Sequence, residues 1–145
     1  MFKLTATERL TRWREFRKSL DTLSLEEALR ETVDFWHSCP FAPYYLDQDK
    51  PETWPNPWTL IEENYYCDLA KALGMLYTIS FTKHNPKVEL RIYYDPETRY
   101  SYNLVWIDDG KYVINLIEGA VVNKQLTDNL ILKVKYNEEL HLDSY

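Results

Sequence analysis

Apolar positions in the first third of the chain fall at helical spacing. Leu10, Trp13, Phe16 and Leu20 recur on one face, with Arg9, Arg12, Arg14, Arg17 and Lys18 around them. This stripe predicts an amphipathic, locally basic helix from about 6 to 20. Thr5-Ala6-Thr7-Glu8 before it has capping-box spacing. A second stripe of Leu25, Ala28, Leu29, Val33 and Trp36 predicts a helix from about 25 to 37, opened by the capping box Ser24-Leu25-Glu26-Glu27 and stopped by Pro40. His37, at its end, reads as a favourable charge near a helix C-terminus.

The helical period then lapses. Residues 40–57 hold five of the seven prolines, interleaved with Tyr44, Tyr45 and Trp54. With so little Gly and Ser, this reads as a long ordered loop rather than a flexible linker. The period returns at Asn56-Pro57, a cap followed by a proline at the first helical position. Trp58, Leu60 and Ile61 begin an apolar face, a break falls near Asn64, and the helix resumes through Tyr66, Cys67, Leu69, Ala70, Ala72 and Leu73. Gly74 is placed to end it in the left-handed conformation. Met75 to Thr82, rich in β-branched and aromatic residues, reads as a strand. Cys67 would then lie early in the second helical segment, about two turns before a helix-to-strand corner.

From Val88 onward the period is two. Val88, Leu90, Ile92 and Tyr94 alternate with Glu89, Arg91 and Tyr93. After the turn Asp95-Pro96-Glu97-Thr98, Tyr100, Tyr102, Leu104 and Trp106 form one face of the next strand. Asp108-Asp109-Gly110 is a hairpin turn. Lys111 to Ile117 returns as a strand, Ala120 to Val122 is a short extended piece, and Leu130 to Tyr136 makes the last strand. Helices first and an antiparallel meander after them predict one α+β domain with a sheet of about five strands. It divides into a helical pair (1–38), the Pro/aromatic loop (39–56), the central helix with the sheet (57–136) and an acidic tail (137–145).

The 145 residues carry a net charge of −6. This argues against non-specific nucleic-acid binding, which needs a basic face. No apolar run approaches the ~20 residues that span a bilayer, and MFKLTATERL lacks the apolar core of a signal peptide. The expectation is a virion or host-cytoplasm protein that is not secreted by a signal peptide and binds no membrane. Cys39 and Cys67 stand alone, without metal-ligand spacing, so no cofactor and no metal are expected. Aromatics make up 15% of the chain. Tyr and Trp at that density favour protein interfaces, and Tyr44, Tyr45, Trp54 and Trp58 are the expected partner-binding residues.

The central stretch resembles the transglutaminase-like cysteine peptidases of the papain-like group. The resemblance rests on Trp54, Asn56-Pro57, Leu60-Ile61, Cys67-Asp68, Ala70-Lys71 and Leu73-Gly74. It continues through Tyr102 to Val105, Asp108-Asp109-Gly110 and Val113 to Leu116, covering about 54–117. It implies a thiolate nucleophile at Cys67 and an orienting residue at Asn115. The position of the catalytic His holds Tyr102, or Asn103 on a one-residue shift. A phenol with a pKa near 10 is a poor proton shuttle at neutral pH. Where the family has Gly-Asp before its cysteine this chain has Tyr65-Tyr66, two rings expected to fill the cleft. His84, in a turn, and His141, in the tail, do not fall where that fold supplies its base. Cys67, Tyr102 and Asn115 are therefore vestigial candidates, and Cys67 reads as a small buried residue.

The expected function is a non-catalytic structural or adaptor subunit, working with other protein subunits of a larger assembly. In its short, aromatic-rich make-up the chain also resembles small tail or baseplate proteins of tailed bacteriophages. The alternatives are a cysteine hydrolase or acyl-transferase using Cys67 with an unconventional base, and a small phage-encoded regulatory binder.

Overall fold

The computed structural model describes residues 1–43 and 45–137. Tyr44 and residues 138–145, with His141, lie outside the described residues. Both N-terminal helices form where the patterning puts them. Helix α1 spans Ala6–Leu20 and α2 spans Leu25–Trp36, each opened by its capping box. Thr5 Oγ1 accepts the Glu8 amide at 3.3 Å and the Glu8 carboxylate accepts the Thr5 amide at 3.2 Å. Helix α3 (Pro57–Glu63) starts under Asn56, whose Oδ1 accepts the Thr59 amide at 2.9 Å. It stops at Asn64, where φ is 59°, a left-handed residue that Asn tolerates.

The next element corrects the sequence reading. Helix α4 runs unbroken from Asp68 to Ser80, through Gly74 and across the stretch expected to be a strand. Gly74 is there because of packing, not termination. A Cβ at this position would lie 2.5–2.7 Å from three ring carbons of Trp36, so α2 and α4 approach as closely as they do only over a glycine. The β-branched and aromatic residues from Met75 to Ile79 are buried, as a helix at the centre of the domain requires. Two indoles fix its rotation. Trp13 Nε1 from α1 and Trp36 Nε1 from α2 donate to Thr78 Oγ1, at 2.9 and 3.0 Å, and that hydroxyl donates to the Gly74 carbonyl at 2.6 Å.

Five strands follow: β1 (Val88–Tyr94), β2 (Ser101–Ile107), β3 (Tyr112–Ile114), β4 (Val121–Val122) and β5 (Ile131–Tyr136). They form one antiparallel sheet in the order β4-β3-β2-β1-β5. The strand expected from Lys111 to Ile117 is shorter than its apolar run. It ends at Ile114, because Asn115 turns out of the ladder with φ 72°. The period of two sorts the side chains cleanly. Leu90, Val105, Ile107 and Ile114 face the helices and share their core. Tyr93, Leu104, Trp106 and Val113 form a smaller cluster on the opposite face. There the Arg91 guanidinium sits 3.7 Å above the Trp106 ring and bonds Glu89 at 3.2 Å. Among the described residues, no helix is long and apolar enough to cross a membrane.

Candidate functional site

The site is built where the N-terminus of α4 meets β2. Cys67 is the N-cap of α4, not a residue within a helical segment, and its carbonyl accepts the Lys71 amide at 2.9 Å. The side chain is 7% exposed. It is a free thiol and makes no hydrogen bond among the described residues. Asp68, the first residue of α4, turns its carboxylate to the sheet. Its Oδ2 accepts from Asn103 Nδ2 at 2.8 Å and its Oδ1 from Asn115 Nδ2 at 3.4 Å. Asn115 Nδ2 also donates to the Asn103 carbonyl at 2.9 Å, an arrangement its left-handed backbone makes reachable.

Strand alternation decides which of the two candidates from β2 belongs to the site. Asn103 lies on the helix-facing side, paired with Ile92, whereas Tyr102 packs on the opposite face with Leu104 and Trp106. The residue standing beside Asp68 is therefore Asn103. Both ends of its amide are engaged: Nδ2 donates to Asp68, and Oδ1 accepts from Gln48 Nε2 at 2.8 Å. Gln48 comes from the Pro/aromatic loop and carried no signal in the sequence, since its pairing spans 55 residues. The loop is held in place there. Tyr136 Oη donates to the Gln48 carbonyl at 3.0 Å, and Trp54 Nε1 donates to the Asp47 carbonyl at 2.7 Å.

Cys67 and Asp68 line two clefts. The smaller, about 190 Å³, is lined by His37, Cys39, Phe41, Tyr66 and Lys71 as well. The larger, about 450 Å³, is lined by Leu46 to Asp49, Leu69 and Asn103. The two rings expected to fill this space do not. Tyr66 is buried in the core, its hydroxyl donating to the Leu60 carbonyl at 3.1 Å, and Tyr65 is 58% exposed with its ring against Tyr45. Burial pushes the Tyr66 phenol up, and pushes the Cys39 thiol up to about 11.

The remaining candidates are dispersed. His37 caps α2 at its C-terminus and faces the smaller cleft, with Nδ1 3.2 Å from a Glu118 carboxylate oxygen. His84 is elsewhere, its Nε2 2.9 Å from the Leu20 carbonyl. Of the expected partner-binding residues, Trp54 is buried edge-on against Tyr136, and Trp58 stacks on Phe81. Tyr45 is half-buried, its ring beside that of Tyr65.

No protein-family model matches this sequence, and no curated protein does. Solved structures are similar in fold. Calcium-bound LapG of Legionella pneumophila superposes with a TM-score of 0.74 at 12% identity, over 94% of this chain and 78% of that one. EGTA-treated LapG gives 0.72 at 12% identity, over 92% and 75%. A third LapG structure gives 0.69 at 12% identity, over 92% and 77%. Among the described residues no group of three or more His, Cys, Asp or Glu side chains converges on a point. The likeness is one of fold: this chain has the transglutaminase-like α+β fold of LapG.

Proposed function

We propose that this chain is a non-catalytic subunit or adaptor that kept a transglutaminase-like fold and works by binding other proteins. One observation carries the reading. The residue beside the Cys67–Asp68 corner is Asn103, and both ends of its amide are committed, to Gln48 and to Asp68. A carboxamide has no proton to accept or deliver near neutral pH, so it cannot hold a thiolate or protonate a leaving group. Exposed rings at Phe41, Tyr65 and Tyr100, and the exposed Ile131 and Leu132 of β5, supply apolar surface for partners. A place in a tailed-phage virion is the finer form of this proposal and rests on size and aromatic content.

The test is a pre-steady-state assay with an activated ester. The non-catalytic reading expects no burst that depends on Cys67. A burst abolished by Cys67→Ala would overturn it. Sedimentation of the native source material addresses the partner: the chain should travel with a large assembly, and a free monomer would favour the small regulatory binder.

A second reading has its own observation. His37 faces the cleft that Cys67 lines, with Glu118 on its Nδ1. In a cysteine hydrolase or acyl-transferase of this design, His37 would serve as base from the smaller cleft, with Glu118 as its orienting group. A burst lost in both Cys67→Ala and His37→Gln would establish that reading.

A further inference from the structure

Charge is unevenly placed along this acidic chain. Residues 1–20 hold six Lys and Arg against two Glu, whereas the whole chain has 17 basic residues against 23 acidic ones. Helix α1 is therefore a basic pole. The Arg17 guanidinium on it lies 4.3 Å from the centre of the Trp13 ring, 5.4 Å from that of Phe81 and 5.5 Å from that of Trp58. The three rings are one cluster: Trp58 stacks on Phe81, and Trp13 meets both edge-on. Arg17 Nε is buried without a hydrogen-bond partner, and the two Nη groups reach solvent. Among the described residues no carboxylate or carbonyl pairs with any of the three. Asp21, one turn further on, does not supply the missing partner: its Oδ1 accepts the Lys83 amide at 2.8 Å. Burial first, and then the neighbouring Arg14, lower the Arg17 pKa. A half-buried charge with no counter-ion is unfavourable, and ring faces offset only part of that.

We propose that Arg17 anchors a protein-binding site on α1 that takes the carboxylate of an acidic partner segment. The two Nη groups form the open edge of a planar fork, and a carboxylate accepts two parallel hydrogen bonds from such an edge. The rings behind the fork hold its plane, so little side-chain freedom is lost when an anion arrives. Trp58 and Phe81, half-buried beside it, offer apolar contact to the methylenes of a Glu side chain and to an apolar neighbour on the same segment. Arg14, three residues back on the helix, adds a second positive charge. A free phosphate would use the fork and leave the apolar margin uncovered, which favours a carboxylate carried on a chain. The proposal rests on the protein-binding reading above and gives that partner a chemistry.

Titration of isotope-labelled protein with acetyl-Gly-Glu-Leu-Gly-amide, and with the same peptide carrying Gln for Glu, tests this. The expected result is a saturable shift of the Arg17 Nε–H and Trp13 indole N–H signals with the Glu peptide and none with the Gln peptide. Added salt should weaken the binding. Arg17→Met keeps an apolar stem on the rings and should weaken it about tenfold, read at the Trp13 indole. Arg17→Lys keeps the charge without the fork and should weaken it several-fold, and it decides the matter if Arg17→Met does not fold. Equal shifts from the two peptides, no shift from either, or undiminished binding by the variants would each overturn the proposal. So would inorganic phosphate that shifts both signals at lower concentration than the Glu peptide, since that would make this a free-anion site. The outcomes separate from those of the ester assay. A Cys67-dependent burst with Glu-dependent shifts intact removes the non-catalytic reading and leaves the Arg17 site. No burst and no shift does the reverse.

Discussion

The two ends of α4 are built on opposite terms. Toward its C-terminus the helix is enclosed by apolar and aromatic groups: Trp13 and Trp36 converge on Thr78, and Trp36 lies over Gly74 with no space for a methyl group. At its N-terminus the contacts are polar. Asp68, Asn103, Asn115 and Gln48 are joined by amide hydrogen bonds, and Asp68 lines two clefts. The first end leaves the helix one position it can take. The second leaves side chains exchangeable at modest cost. In this fold, stability is concentrated at one end of a helix and adaptability at the other, which lets the site's chemistry change while the architecture stays.

The contrast is broken most directly at Trp36. Trp36→Ala removes a fully buried ring and one of the two indole donors to Thr78, and should cost about 3–5 kcal/mol of unfolding free energy, read as a shift in the urea midpoint. Gly74→Ala comes next. Its new methyl must push the indole aside, at about 1–3 kcal/mol. The two should be strongly non-additive, because once Trp36 is truncated the methyl fills part of the cavity and favours the helix. If Gly74→Ala is as costly in Trp36→Ala as in the parent, the close approach is not what selects glycine.

That same pair shows what was legible in the sequence. The capping boxes, the Asn56-Pro57 start, the break at Asn64 and the strands from Val88 to Ile107 are local signals, and they set the elements. The C-terminal half of α4 was read as a strand because a helix buried on all sides has no polar face, so periodicity is silent there. Gly74 then looked like a stop signal. Its true partner, Trp36, lies 38 positions away and no local pattern reports it. The site divides similarly. Cys67 and Asn115 were recognisable from their order along the chain, and alternation on β2 separates Asn103 from Tyr102 only once the sheet's faces are known. Gln48 and the cleft-facing His37 come from outside the stretch that carried the resemblance, and only the tertiary fold brings them in.

At the polar end a substitution should cost less. Asn103→Ala leaves the Asp68 carboxylate with one amide and the Gln48 side chain with Ser101 as its partner, for a loss of about 1–2 kcal/mol. Its distinctive consequence is local. Amide exchange should quicken at Gln48 and Asn115 while protection in the C-terminal half of α4 stays unchanged. Equal quickening at both ends would mean that the two are one cooperative unit, and the contrast drawn here would not hold.

The smallest effect is a pH dependence at the smaller cleft. The Cys39 thiol is pushed up to about 11 by burial, against ~8.5 for a free thiol. Between those values the unfolded chain has released the proton and the folded chain still holds it. The unfolded state then binds fewer protons, so stability falls as pH rises through that window. The loss should begin near pH ~8.5, before an unperturbed phenol ionises near ~10. Tyr66 and Tyr77, whose phenols burial also pushes up, add to the decline only at higher pH. Urea midpoints at pH 7.5, 8.5 and 9.2 should therefore drift downward in the parent and stay level in Cys39→Ala. Iodoacetamide should label Cys39 slowly at pH 8. Rapid labelling there, or a drift that survives Cys39→Ala, would place the thiol in water and remove the buried wall it gives the cleft.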